Sequence, residues 1–135
     1  VTAGDRVLSE TGTGLLVLLG VARGDGDREL EYVAEKTLNL RIFPDDEGKM
    51  NLSVLDIAGE VTVVSQFTLL ADTRKGRRPS FVGAAGPEEA EPVYEDFVGL
   101  MKASGLKVGT GGFGEMMVVS LDNWGPVTIV IDSTV

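Results

Sequence analysis

The run Ser65-Gln66-Phe67-Thr68-Leu69-Leu70-Ala71-Asp72 ends a β-branched stretch, Val61-Thr62-Val63-Val64, and puts polar side chains where a buried strand would continue apolar. Such a strand end offers rigidly placed backbone N–H groups, with hydroxyls at Ser65 and Thr68. Within ten residues comes a cluster of cations, Arg74, Lys75, Arg77 and Arg78. Two readings stand side by side. In one, the polar residues of a half-buried strand face water and the cations keep a loop soluble. In the other, the Gln66 and Phe67 N–H groups aim at a developing oxyanion, with Thr68 beside them, and the cations meet an anionic substrate.

What the chain lacks narrows the chemistry. It has no histidine and no cysteine, which excludes a histidine-assisted triad, a thiolate nucleophile, disulfides and zinc sites built on either residue. No compact arrangement of Asp and Glu asks for a divalent ion, and no cofactor or metal is expected. Any reaction must use carboxylates, hydroxyls, lysines, backbone groups or the substrate itself. The net charge of −9 argues against non-specific binding to a long duplex. Residues 72–78 nevertheless hold four basic groups against one acid, so one localised anionic target fits better.

The elements that must position these residues follow from periodicity. At 135 residues the chain has the length of one domain, 1–135. Two short strand pieces flank the Ala3-Gly4-Asp5 turn, and 15–22 reads as a central strand. Asp27 is the expected cap of a helix over 28–41, whose stripe is Leu30, Val33, Ala34, Thr37 and Leu38. A strand at 60–67 leads to the basic loop. A second helix is expected after Pro87, with Ala90, Val93, Tyr94, Phe97, Leu100 and Met101 on its buried face and Gly105 ending it. Val108 opens a glycine-rich link, and strands are expected at 116–121 and 127–131. The sum is an α/β (α+β) domain with a mostly antiparallel or mixed sheet and two main helices. The apolar run at 15–19 is too short to cross a membrane, and no targeting segment is read.

Generic motifs carry little. Gly109-Thr110-Gly111-Gly112-Phe113-Gly114 satisfies G-x-G-x-x-G, but a strand rather than a helix is expected after it, so its glycines read as a close-packed loop. Ser104-Gly105-Leu106-Lys107 straddles a helix end, the wrong place for a serine–lysine pair. Asn123-Trp124-Gly125-Pro126-Val127-Thr128 is a sharp turn; Trp124 is either a core filler or an exposed aromatic at a contact surface.

Taken together, SQFTLLADTRKGRRPSF at 65–81, LNLRIFPDDEGKMNLSVLD at 38–56, PEEAEPVYEDF at 87–97, TGGFGEMM at 110–117 and the GPVT of 125–128 resemble the D-aminoacyl-tRNA deacylase family over nearly the whole chain. The resemblance implies a cytoplasmic homodimer that hydrolyses the ester between a D-amino acid, or glycine mischarged on tRNA(Ala), and the terminal ribose of tRNA, with active sites at the interface. By the same resemblance Ser65, Gln66, Phe67 and Thr68 form the catalytic motif. Gly125, Pro126 and Thr128 belong to a cis Gly-Pro turn that reaches into the partner's pocket and rejects L side chains. Ala90, Phe113 and Met117 line an adenosine pocket. Backbone groups and the RNA 2′-hydroxyl, more than a protein nucleophile, are implied to do the work, with Thr68 an older candidate nucleophile. Arg74, Lys75, Arg77 and Arg78 are expected to contact RNA phosphates.

The chain departs from the family pattern in four places. Family members begin about a dozen residues earlier, with a strand expected to lie in the sheet before Val1-Thr2, and without it a strand edge or groove would lie open. Trp124 stands where aspartate is usual, Asp122 where an apolar residue is usual, and Gly112 where arginine is frequent. Two alternatives therefore accompany the deacylase reading: an impaired member that binds RNA ends or proteins, and a small-molecule esterase.

Overall fold

The computed structural model describes residues 1–134. Its centre is a three-stranded parallel sheet in the order β3–β6–β7, formed by Gly14–Leu19 (β3), Glu60–Ser65 (β6) and Val108–Thr110 (β7). Glycine at position 14 lets the first rung form, since a Cβ there would lie 1.7 Å from the Glu60 carbonyl oxygen. The register then runs from Gly14 opposite Glu60 to Leu19 opposite Ser65. Strand β6 is central and covered on both faces, which is why Val61, Thr62, Val63 and Val64 are all buried. The short strand β7 occupies part of the expected glycine-rich link, with Val108 opposite Val61 and Thr110 opposite Val63.

Antiparallel strands among the described residues form two short hairpins, β1 (Thr2–Ala3) with β2 (Arg6–Val7) and β4 (Phe43–Pro44) with β5 (Met50–Leu52), beside isolated antiparallel bridges such as Ala22 to Ala84. The pairing is mixed, as expected, but its longest ladders are parallel.

Helices α1 (Asp27–Asn39) and α2 (Pro87–Ala103) pack on one another and on the face carrying Leu15, Val17, Leu19, Val61 and Val63. The capping residue of α1 is Gly26, not Asp27; the Glu29 carboxylate reaches back to accept the Gly26 N–H at 2.9 Å. On α2 the buried residues are Ala90, Tyr94, Phe97, Val98 and Met101. Val98 takes the place expected for Leu100, which stays on the solvent side. Phe97 and Met101 are fully buried, each contributing about 2–3 kcal/mol of apolar transfer.

The strands expected at 116–121 and 127–131 do not form. Val118 exchanges backbone bonds with Thr2 at 2.9 and 3.0 Å, and no further ladder follows among the described residues. A strand needs a neighbouring edge and a layer for its apolar face. Here Met116, Val118, Leu121, Trp124, Ile129 and Val130 are exposed instead.

Candidate active site

The three parallel strands end side by side, and α2 begins at the same edge. Clefts outside the carboxyl ends of parallel strands are where α/β folds bind ligands. Ser65 closes β6 opposite Leu19 and is half-buried. The next amide, Gln66 N–H, donates to the Leu19 carbonyl at 2.8 Å. It completes the ladder and cannot meet an oxyanion, which corrects the expectation for that group. The chain then turns through a 3-10 segment, Phe67–Leu70, held by Leu69 N–H to the Gln66 carbonyl at 3.2 Å and Ala71 N–H to the Thr68 carbonyl at 3.1 Å.

As at any helical N-terminus, the first N–H groups of the segment are left over. Those of Phe67 and Thr68 have no partner among the described residues. The Gln66 side-chain amide donates to the Thr68 hydroxyl. With its oxygen already accepting and no histidine in the chain, Thr68 is a poor nucleophile and a good hydrogen-bond donor. The Phe67 ring, half exposed, meets Phe81 edge to face at 5.1 Å.

Asp72 and Ser80 exchange backbone bonds at 2.7 and 2.9 Å, closing the basic segment as a loop on the site's flank. Within it, Asp72 accepts from the Arg74 guanidinium at 2.9 and 2.7 Å and from its N–H at 3.0 Å. Those bonds, the side-chain pair foremost, hold the Asp72 carboxyl below the usual carboxylate range. Arg74 is thus partly neutralised. Lys75, Arg77 and Arg78 are exposed, with no carboxylate within ion-pair reach among the described residues.

Ala90, Phe113 and Met117 gather around the start of α2 and the loop after β7. Ala90 is buried with Val21 and Ala85, and Phe113 packs against them. The Met117 sulfur accepts the Gly112 N–H at 3.3 Å and occupies the space a Cβ on Gly111 would need. At Gly112 the space a side chain would enter holds the Glu115 carboxylate, which is paired with Arg6 of β2. Among the described residues no helix follows β7, so the glycine pattern lacks the element a dinucleotide site requires.

Tyr94, expected only as core, joins these groups. Its hydroxyl donates to the Val63 carbonyl at 2.9 Å, and its ring lies 5.8 Å from that of Phe113. Burial first, then Glu95, pushes its pKa up to about 12, partly opposed by the Gly111 backbone. The period of α2 could show that Tyr94 is buried; only the fold shows what its hydroxyl meets.

The Gly125–Pro126 bond is cis. Asn123 closes this turn, accepting the Val127 N–H at 3.0 Å and donating to the Thr128 hydroxyl at 2.9 Å. Gly125, with φ of 132°, Pro126 and Thr128 are exposed, as are Asp122 and Trp124. No hydrogen bond links this turn to residues 65–68 among the described residues. One chain therefore places the strand end and the Ala90–Phe113 cluster at the same end of the sheet, with Met117 on the loop after β7, and leaves the Gly-Pro turn exposed. A pocket of about 450 Å³ lies elsewhere, between Tyr32, Lys36 and Leu40 of α1 and residues 129–132. No residue of the strand end lines it.

Comparison with known proteins bears on what this edge does. The profile described as D-Tyr-tRNA(Tyr) deacylase matches residues 1–132. A protein of Roseiflexus sp. (strain RS-1) named D-aminoacyl-tRNA deacylase is 57% identical over 135 residues, covering 100% of this chain and 87% of the relative. One of the same name from Desulfatibacillum aliphaticivorans is 62% identical over 120 residues, 89% of this chain and 82% of the relative. A solved structure named c-Myc DNA Unwinding Element Binding Protein superimposes with a TM-score of 0.87 at 42% identity, covering 95% of this chain and 87% of that one.

Proposed function

The chain belongs to the D-Tyr-tRNA(Tyr) deacylase family, and on that premise we propose that it hydrolyses the ester joining a D-amino acid, or glycine carried on tRNA(Ala), to the terminal ribose of tRNA. It is a hydrolase of D-aminoacyl-tRNA, as its close relatives are named. The observation that carries the mechanism is the pair of unpartnered N–H groups at Phe67 and Thr68 on the carboxyl edge of the sheet.

Water attacks the ester carbonyl and the carbonyl oxygen gains negative charge. The two N–H groups and the Thr68 hydroxyl stabilise that charge, each such donor being worth about 3–4 kcal/mol in a dry site. Collapse of the intermediate breaks the bond to the ribose oxygen; the neighbouring 2′-hydroxyl passes its proton to that oxygen and takes up the proton lost by the attacking water, so the products are the free acid and the diol. No protein nucleophile is needed, because the ester is already activated and the requirement is alignment. Ala90, Phe113 and Met117 offer the surface for the terminal adenosine. Lys75, Arg77 and Arg78, with Arg74 in a lesser role, meet phosphates behind it.

Chirality is read by Gly125 and Pro126 of a second copy of the chain, whose carbonyls take the substrate's amino group and whose backbone leaves no room for an L side chain. Two observations support association. The turn and Trp124 are exposed, Trp124 at 85%. The chain also exposes 9131 Å², against about 6,800 Å² for a compact monomer of this mass. Among the described residues no helix is long and apolar enough to cross a membrane. A tRNA substrate puts the reaction in the cytoplasm.

The test is to incubate the protein with matched D- and L-aminoacyl-tRNA and with a free D-amino acid ester. Loss of the D-aminoacyl-tRNA alone is expected. Equal loss of the free ester would favour a small-molecule esterase, and binding without turnover an RNA-end module.

A further inference from the structure

Resting on the deacylase reading above, we infer that Tyr94 is a positioning residue, whose hydroxyl sets the strand carrying Ser65–Thr68 in register with the surface formed by Ala90 and Phe113. The carbonyl of Val63 accepts two donors: Gly111 N–H at 3.3 Å, just beyond the last paired residue of β7, and the Tyr94 hydroxyl at 2.9 Å. Each participant leads directly to one part of the site. Val63 lies two residues before Ser65 on β6, Gly111 two residues before Phe113, and Tyr94 one helical turn after Ala90 on α2. The Tyr94 ring also touches the Phe113 ring. One buried side chain, 2% exposed, therefore ties all three segments to a single carbonyl.

A buried tyrosine hydroxyl needs some partner, and a core role would be satisfied by any carbonyl of β6. The carbonyl used here is the one from which the reacting edge and the adenosine surface diverge. Without the bond, Gly111 N–H still satisfies Val63, so the fold persists. The surfaces that bind RNA remain while their spacing relaxes. Substrate then binds nearly as well but is held out of line with the Phe67 and Thr68 N–H groups, a displacement that catalysis registers and affinity does not.

The experiment compares wild type, Tyr94→Phe and Thr37→Val in turnover of a D-aminoacyl-tRNA, with melting temperatures measured in parallel. Thr37 is also buried and donates to the Val33 carbonyl at 2.8 Å within α1, so it matches the loss of a hydroxyl bond away from the site. Tyr94→Phe should lower kcat about tenfold with KM within twofold, and Thr37→Val should leave both unchanged. Replacing Tyr94 with 4-aminophenylalanine, which keeps a donor at the ring's far end, should restore kcat. The equally bulky 4-methylphenylalanine should not; this pair carries the test if Tyr94→Phe does not fold. A kcat for Tyr94→Phe within twofold of wild type, or equal turnover by the two analogues, would overturn the inference. An inactive wild type would instead overturn the deacylase reading on which it rests.

Discussion

The amide of Gln66 donates to the carbonyl of Leu19 at 2.8 Å, and this bond decides which groups of the strand end can meet a substrate. It fixes the last rung of the β3–β6 ladder one residue before the chain turns. Phe67 and Thr68 thereby supply the open N–H groups, and Gln66 contributes through its side-chain bond to the Thr68 hydroxyl.

The turn has little room to shift. A Cβ at Gly20 would lie 2.5 Å from Leu70 Cδ2, 3.2 Å from Leu69 Cβ and 3.3 Å from the Gln66 carbonyl oxygen. Gly20→Ala should therefore cost about 1–3 kcal/mol of stability by overpacking. It should also slow D-aminoacyl-tRNA turnover about tenfold at temperatures where the protein stays folded. Denaturant melts alongside single-turnover rates check both effects.

The basic loop should divide by pairing. Because Arg74 is engaged by Asp72, Arg74→Gln should raise KM less than Lys75→Gln, Arg77→Gln or Arg78→Gln. Removing the latter three together should flatten the log KM against log salt slope by about 2, given roughly 0.7 per single-strand phosphate contact. An unchanged slope would assign the loop to solubility.

Much of this was legible in the chain, and the remainder was missed for physical reasons. The apolar stripes of α1 and α2 and the valine run of β6 encode burial directly, so their places follow from period. Gln66 misleads because register with Leu19, a partner more than forty residues away, determines which N–H is used. Segments 116–121 and 127–131 have strand-like composition, but composition cannot supply the neighbouring edge a ladder needs. The Arg74–Asp72 fork was hidden because a count of charges does not record geometry.

Acid should weaken the fold. The carboxyls of Glu29, Asp45, Asp56 and Glu60 are lowered mainly by backbone N–H bonds, and those of Asp72 and Asp132 mainly by side-chain bonds from Arg74 and Thr134. A lowered folded-state pKa means that the unfolded chain binds more protons, so stability rises with pH. The melting temperature should climb with pH up to about 4.5 as these groups ionise and then level off between about pH 5 and 8, where a chain without histidine has no switch. A marked change in melting temperature between pH 6 and 7 would count against it.

Trp124, the chain's only tryptophan, reports association without labelling. If the exposed turn docks on a second copy, its emission should shift to the blue with rising concentration, in step with a dimer in sedimentation velocity. Trp124→Asp should abolish the optical signal while testing whether the turn tolerates the change. A monomer with red-shifted emission at every concentration would remove the second copy from the proposed site.

The claim at the centre is that backbone donors, not a side-chain nucleophile, drive the reaction. Single-turnover hydrolysis of D-tyrosyl-tRNA by Thr68→Val tests it most directly. Loss of one supporting hydroxyl among three donors should slow the reaction by no more than about a thousandfold, with no acyl group left on the protein. Complete loss of hydrolysis in a folded Thr68→Val, together with an acyl adduct trapped on Thr68 of the wild type, would contradict it.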